Sequence, residues 1–100
     1  MPQFAVIARD GPDGAAKRAE HRDAHFAHIE TISDKIAVAG PLKDEAGGFV
    51  GSLVILDVAD AREARAVLEA DPYFKAGVWA EAEIHPFLAA AGSWIGGETW

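Results

Sequence analysis

Apolar runs separated by turn residues divide the first third of the chain into a strand and a helix. Residues 3–9, QFAVIAR, are apolar and partly β-branched, and they lie between Pro2 and the turn-rich DGPDG at 10–14, which predicts a buried strand. From about Ala15 to Asp34 the chain has no Gly or Pro and is rich in Ala, Glu, Arg and Lys, as expected of a long amphipathic helix. The chain is therefore predicted to begin with β followed by α.

The middle of the chain predicts a β-hairpin. KIAVAG at 35–40 indicates a strand that is closed by Gly40 and Pro41, and LKDEAGG at 42–48 indicates a loop. FVGSLVILDV at 49–58 is rich in β-branched and aromatic residues and is the expected partner strand.

A second helix is predicted after the hairpin. Asp60 is the expected N-cap, and Glu63 three residues later completes a capping box. The helix is expected to end near Ala70, because Asp71-Pro72 interrupts helical geometry.

The last predicted strand alternates apolar and polar residues. DPYFKAG at 71–77 is expected to be a short turn, and VWAEAEIHPF at 78–87 a strand with one buried face. The alternation assigns Val78, Ala80, Ala82 and Ile84 to the buried side, and Trp79, Glu81, Glu83 and His85 to the opposite side.

The predicted order βαββαβ is the ferredoxin-like arrangement, an α+β fold in which one antiparallel sheet carries both helices on one face. We treat residues 1–100 as one domain, because this length leaves no room for a second. The other sheet face has no cover except the tail 89–100, which carries Trp94, Ile95 and Trp100. A second copy of the chain is the expected cover, so we expect a homodimer with a cavity beside the helices and the tail contacting the partner subunit. The sequence does not decide whether such dimers associate into higher oligomers.

The charge balance narrows the range of partners. Sixteen acidic residues against nine basic ones give a net charge of -7, which would repel nucleic-acid phosphates. No run approaches the roughly 20 apolar residues that cross a bilayer, and the N-terminus lacks a secretory signal pattern, so we expect neither membrane association nor export. The absence of Cys removes disulfide and thiolate chemistry and fits a cytoplasmic location.

The predicted first helix contains a candidate pocket wall. Projected at about 100° per residue, His25 falls on the side that Phe26 and Ile29 would bury. Arg18 and Arg22 project close to His25, so the inward stripe is cationic where it begins and apolar where it ends. This mixture is typical of a pocket that opens near the N-terminal half of the helix.

The spacing of His21, His25 and His28 admits three interpretations. The three rings could converge on a metal such as zinc, although the segment has neither the glutamate of an HExxH motif nor a thiolate. Alternatively, His21 and His28 are solvated and His25 is a core histidine bonded to a neighbour. We favour the third interpretation, in which His25 transfers protons, because imidazole is the side chain that titrates closest to neutral pH.

A proton-transferring histidine needs an acid to orient it. The residues alone leave three candidates open: Asp10 at the end of the first strand, Asp71 before Pro72, and the acidic loop at 43–45. A turn carboxylate is the competing explanation for both Asp10 and Asp71.

Five segments of the chain occur in a fixed order that carries a resemblance: RDAHFAHI at 22–29, AGP at 39–41, GFVGS at 48–52, DPYFKAGVW at 71–79 and IHPF at 84–87. Together they resemble the YCII-related family of small proteins, and the resemblance runs from about Phe4 to Leu88. It implies a ferredoxin-like fold and a dimeric α+β barrel.

The resemblance also implies site residues. The helix histidine and the aspartate that mark the family correspond to His25 and Asp71, which favours Asp71 over Asp10 as the orienting acid. Arg22 and Ser52 stand at positions that resemble pocket residues of the family.

At least one family member resembles a dehydrochlorinase that acts on a chlorinated hydroxyquinone, and the wider superfamily includes muconolactone isomerases and cofactor-free monooxygenases. We therefore expect a cofactor-independent, metal-free lyase or isomerase in which His25 and Asp71 move a proton on a small anionic or phenolic molecule. Arg18 or Arg22 would hold an anionic group, and Ser52 would donate a hydrogen bond. The alternative is a non-catalytic or regulatory module that binds a small ligand in the same cavity.

Overall fold

The computed structural model describes residues 2–99, which form a four-stranded sheet with three helices and a short C-terminal hairpin. Trp100, which belongs to the predicted tail, lies outside the described residues. The elements are β1 (Gln3–Asp10), α1 (Gly14–Thr31), β2 (Ile36–Lys43), β3 (Phe49–Asp57), α2 (Ala61–Ala70), α3 (Pro72–Ala76), β4 (Trp79–Phe87), β5 (Ala91–Gly92) and β6 (Gly97–Glu98). Within these residues, no helix combines the length and hydropathy that crossing a bilayer requires.

The strand order is β2-β3-β1-β4, and all neighbouring strands are antiparallel. This order confirms the predicted ferredoxin-like α+β fold. Alternate residues of β1 point to the helices, so Phe4 and Val6 are buried opposite Leu56 and Val54 of β3. The core lies between this face and α2, whose Ala64 is fully buried.

The predicted capping of α2 is present with one difference. The Asp60 carboxylate accepts a hydrogen bond from the Glu63 N–H at 2.8 Å. The Glu63 carboxylate accepts from Ala59 N–H, also at 2.8 Å, whereas a standard capping box would use the N–H of Asp60. The bond from Ala59, helped by the nearby Lys35 ammonium, holds the pKa of Glu63 below its ordinary value.

The prediction that β2 closes at Gly40 and Pro41 is wrong. The strand continues through both residues to Lys43, and Pro41 faces Ser52 in the register. The reason is that β2 is an edge strand, so the N–H that proline lacks is not needed for a second neighbour. The first helix also ends earlier than predicted, at Thr31, and is followed by a single 3₁₀ turn at Ser33–Lys35.

The segment predicted as a turn at 71–77 contains the helix α3. Asp71 caps its first turn by accepting from the Tyr73 N–H, Pro72 occupies the first helical position, and Gly77 ends it at φ 77°. Proline is favoured at the first position because its fixed φ suits the helix and its missing N–H would be unpaired there. The left-handed Gly77 is a common helix end.

A bulge corrects the predicted faces of β4. Arg9 faces Glu81 while Asp10 faces Trp79, so β4 advances two residues for one of β1 and Ala80 is the extra residue. The predicted alternation therefore breaks at Ala80, and Trp79 packs against the same core as Ala82 instead of lying on the polar side.

The sheet face opposite the core is apolar in its centre. Leu53 is exposed there, and its neighbours Ile7 and Val38 are half-buried. We call this surface the open face. After β4 the chain forms the β5–β6 hairpin, which presents Trp94 with 84% of its surface exposed.

The close approach of β1 and β3 predicts that alanine substitution destabilises the protein at Gly51 but not at Gly40. A Cβ at Gly51 would collide with the backbone oxygen of Ala8, whereas a Cβ at Gly40 has no neighbour within 4 Å. We expect Gly51→Ala to lower the free energy of unfolding by about 1–3 kcal/mol, as overpacking does. Gly40→Ala is the control and should change it by less than about 0.5 kcal/mol. Urea denaturation measures both, and equal stabilities of the two variants would contradict the β1–β3 packing.

Candidate active site

The candidate site lies where the first half of α1 meets the end of β1, the start of β3 and α3. Arg18 and His25 are seven residues apart on α1, close to two full turns, so both side chains leave the same side of the helix. The structure brings Asp71, Asp10 and Ser52 to this side from three other elements.

His25 and Asp71 form a partly buried hydrogen bond. Their Nδ1 and Oδ1 atoms are 2.8 Å apart, and the side chains are 17% and 7% exposed. A carboxylate only accepts hydrogen bonds, so Nδ1 carries the proton of this bond, and in the neutral form of the ring the lone pair is then on Nε2. Within residues 2–99, Nε2 of His25 has no hydrogen-bond partner. The imidazole is therefore held at one nitrogen and available at the other.

The position of Asp71 follows from local sequence. The same Oδ1 atom accepts the Tyr73 N–H at 2.8 Å as the cap of α3. The Asp-Pro pair makes this residue the last extended one before the helix, with φ -69° and ψ 130°. Helix capping thus fixes the carboxylate that His25 meets.

Tyr73 is a central residue of the site that the sequence analysis missed. Its ring stacks on His25 with centroids 3.8 Å apart and planes 4° apart, and it meets Trp79 edge-on at 6.0 Å. Burial raises the pKa of the Tyr73 hydroxyl, although the Arg18 charge opposes this shift. The hydroxyl donates to the backbone oxygen of Arg18 at 3.3 Å. A signal for Tyr73 is present in the sequence, because it lies two residues after Asp71. At that position its N–H can bind the capping carboxylate.

Arg18 forms a second, partly buried ion pair. Its Nε and Nη2 donate to the two carboxylate oxygens of Asp10 at 2.8 and 2.9 Å, and the side chains are 11% and 7% exposed. Nη2 also donates to the Gly51 backbone oxygen and to Ser52 Oγ, at 2.9 and 3.1 Å. The guanidinium lies 5.6 Å from the Phe49 ring centroid. Asp10 is thus the partner of Arg18 and not of His25, and the Ser52 hydroxyl is directed to Arg18.

Other predicted residues are placed differently. Arg22 is exposed and makes no hydrogen bond within residues 2–99. Phe26 was expected to be buried, but it is 54% exposed with its ring 5.7 Å from that of His25. One residue turns a helix by about 100°, so a helix rotated to bury His25 turns Phe26 outward. In the acidic loop, Asp44 binds the N–H groups of its own turn.

The other two helix histidines do not join His25. Nε2 of His21 lies 3.8 Å from a Glu20 oxygen, and His28 buries its Nε2 without a hydrogen-bond partner, contrary to the expected solvent exposure. Among residues 2–99, no three His, Asp or Glu side chains are grouped to hold a metal ion.

Two concave regions of the protein do not include the polar groups of Arg18 and His25. A cavity of about 30 Å³ between the sheet and the helices is lined by apolar residues with Asp71 and Trp79. It has room for a water-sized molecule only. Sites for organic ligands are larger and span about 300–1,000 Å³. A surface depression of about 480 Å³ along α2 is lined by residues of α2 alone. Neither is lined by Arg18 or His25.

The double role of Asp71 predicts a graded response to substitution. Asp71→Asn keeps an oxygen that can accept from Tyr73 N–H and His25, whereas Asp71→Ala removes both bonds. We expect Asp71→Ala to lower the free energy of unfolding by about 1–3 kcal/mol, and Asp71→Asn by clearly less. Urea denaturation provides the comparison. Equal losses would show that the side-chain oxygen does not hold α3 and His25 together.

Comparison with known proteins identifies relatives that match most of the chain. A sequence profile described as the YCII-related domain matches residues 2–88. Protein YciI of Escherichia coli is 34% identical to this chain over an alignment of 92 residues. The match covers 84% of this chain and 94% of YciI.

Solved structures give a similar result. The dehydrochlorinase TftG of Burkholderia phenoliruptrix, whose name specifies 5-chloro-2-hydroxyhydroquinone and whose structure contains 2,5-dihydroxybenzoquinone, is 26% identical with a TM-score of 0.79. The match covers 91% of this chain and 96% of TftG. Protein Atu4242 of Agrobacterium tumefaciens is 18% identical with a TM-score of 0.54, covers 90% and 94%, and shares the fold alone.

Proposed function

This chain belongs to the YCII-related family, and from that premise we propose that it is a small cofactor-independent enzyme. His25, oriented by Asp71, transfers a proton to or from a small phenolic or otherwise weakly acidic organic molecule. The observation that carries the proposal is the 2.8 Å bond from His25 Nδ1 to Asp71, with Nε2 left without a protein partner within residues 2–99.

The paired arrangement suits general acid–base catalysis for two reasons. The carboxylate fixes the tautomer and orientation of the ring, and it stabilises the imidazolium that forms when Nε2 takes a proton. In an elimination, Nε2 would remove a proton from the substrate, the freed electron pair would form the new double bond, and the leaving group would depart with its bonding electrons. TftG supports this reaction class because it is named a dehydrochlorinase and is similar over nearly the whole chain.

The charges around the site favour a phenol over a polyanion. Arg18 is the nearest buried cation, but Asp10 compensates its charge through two hydrogen bonds. With His25 neutral, Asp71 leaves one negative charge uncompensated in the buried cluster. A substrate that acquires negative charge only during the reaction is therefore a better fit than one that brings several charges.

Arg18 and Ser52 are proposed to stabilise that developing charge. Nη1 of Arg18 is the terminal nitrogen that makes no hydrogen bond within residues 2–99, so it is the donor we assign to an enolate or phenolate oxygen. Ser52 acts through Arg18, because its Oγ accepts from Nη2. Arg22, exposed one turn further along α1, is proposed to contact the substrate at the mouth of the site.

Substitution of single histidines tests the catalytic assignment. We expect His25→Ala to lower kcat by about 10²–10⁴-fold, the usual contribution of general acid–base catalysis, with the fold intact. His21→Ala removes a surface ring of the same helix and should leave kcat unchanged. The first trial substrate is 5-chloro-2-hydroxyhydroquinone, followed by phenols and dicarboxylic acids chosen by thermal stabilisation. A ligand at 100 times its Kd adds about 2.7 kcal/mol to the native state.

Two outcomes would contradict this proposal. Equal turnover by His25→Ala and the wild type would remove His25 from catalysis. Saturable binding of these compounds without turnover of any of them would favour the alternative, a non-catalytic module that binds a small ligand in the same site.

We also propose that a second copy of the chain covers the open face. Leu53 and its apolar neighbours would lose their exposure to water when two such faces pack together. The tail at 89–100 is proposed to contact the partner subunit, since Trp94 is 84% exposed on the β5–β6 hairpin.

Sedimentation tests the dimer. The wild type should sediment at twice the 10.6 kDa chain mass across a dilution series, and Leu53→Asp should sediment as the monomer, because pairing would bury an unpaired charge. Ala66→Asp on the exposed side of α2 is the matched control and should stay dimeric. A monomeric wild type, or a dimeric Leu53→Asp variant, would overturn this arrangement.

A further inference from the structure

Tyr73 contacts three of the groups to which the proposed mechanism assigns a role, namely Asp71, His25 and Arg18. Its backbone N–H donates to Asp71 and its ring stacks face to face on His25. Its hydroxyl donates to the backbone oxygen of Arg18, whose guanidinium carbon lies 5.4 Å from the Tyr73 ring centroid.

These contacts constrain the tilt of the His25 ring, which the hydrogen bond to Asp71 does not fix. A single bond at Nδ1 fixes one end of the imidazole but allows the ring to tilt about that bond. The Tyr73 ring, parallel to within 4° at 3.8 Å, removes this tilt. Trp79 supports the other side of Tyr73 edge-on, so Tyr73 cannot move away without disturbing the core. The direction of Nε2 is then set by two contacts at right angles, one in the ring plane and one across it.

Tyr73 is too buried to act on a substrate itself. Only 4% of its surface is exposed, and its hydroxyl is already engaged with Arg18. Any effect on the reaction must therefore pass through the residues that it touches.

We propose that Tyr73 is the positioning residue of this site: its ring fixes the plane of His25, and its hydroxyl anchors the turn of α1 that carries Arg18. The role rests on the proposed function of His25 as the proton-transferring group. The base and the cation are then held in constant relation by one side chain, which matters because small misplacement of a catalytic group can cost as much as 10²-fold in rate.

Three substitutions test the role. Tyr73→Phe keeps the ring and removes the hydroxyl, Tyr73→Leu removes the ring, and Phe74→Leu is the matched control. Phe74 is the next residue of α3 and packs against the core, so its loss changes stability without touching His25. If Tyr73→Leu does not fold, Tyr73→Met removes the same ring with a longer side chain.

The first measurement is the NMR spectrum of the His25 ring, which needs no substrate. In the wild type and in Tyr73→Phe, the carbon-bound ring protons of His25 should be shifted upfield by the aromatic ring beneath them, and the Nδ1 proton should exchange slowly with water. In Tyr73→Leu the upfield shift should disappear and the Nδ1 proton should exchange faster. Wild-type His25 signals in Tyr73→Leu, or the same changes in Phe74→Leu, would overturn the proposal.

The second measurement is turnover of 5-chloro-2-hydroxyhydroquinone, with binding of 2,5-dihydroxybenzoquinone measured by calorimetry. Tyr73→Leu should lower kcat at least about tenfold with little change in KM or in binding, and Tyr73→Phe, which keeps the ring but loses the hydroxyl bond to α1, should give a kcat between those of Tyr73→Leu and the wild type. A loss of binding equal to the loss of kcat would assign Tyr73 a ligand-binding role instead. If His25→Ala turns over substrate like the wild type while the NMR changes occur as expected, the catalytic role of His25 fails and the fixing of its ring by Tyr73 stands.

Discussion

The carboxylate of Asp71 connects the fold of this chain to its proposed chemistry. One oxygen atom accepts two hydrogen bonds, from the first turn of α3 and from the imidazole of His25. The first bond is local and satisfies an N–H that a helix start would otherwise leave unpaired. The second joins residues 46 positions apart and brings α1 against α3. Because the same atom serves both, the geometry of the proposed proton-transfer group is as rigid as the helix cap that holds it.

A second network lies beside the first and has a different character. Arg18 is held by Asp10, by a backbone oxygen and by Ser52, so its position is fixed and its charge is compensated. Burial of an isolated guanidinium would be strongly unfavourable, and the paired carboxylate removes most of that penalty. Tyr73 lies between the two networks and contacts both. The site is therefore a connected polar cluster on an apolar core, with one imidazole nitrogen and one guanidinium nitrogen that have no hydrogen-bond partner within residues 2–99.

Much of this arrangement could be predicted from the sequence, and the errors have physical causes. The βαββαβ order follows from local periodicity and turn residues, which act within a few positions of one another. Proline breaks central strands, which is why the sequence predicts a strand end at Pro41. In the structure β2 lies at the sheet edge, where proline is tolerated, and edge position depends on the whole sheet. Trp79 was assigned to the wrong face because strict alternation does not anticipate a bulge. Phe26 was expected inside because a helical projection gives the spacing of side chains but not the rotation of the helix against the sheet.

The site divides in the same way between sequence and tertiary structure. By itself, the sequence determined the end of α2 at Asp71-Pro72, the side of α1 shared by Arg18 and His25, and the two aspartates available as partners. These properties depend on backbone geometry over one or two turns. Only the tertiary structure decided that Asp71 meets His25 while Asp10 meets Arg18. It also decided that the Tyr73 ring stacks on His25. The choice between two carboxylates depends on how α1 and α3 pack together, and that contact is set by burial of the whole core.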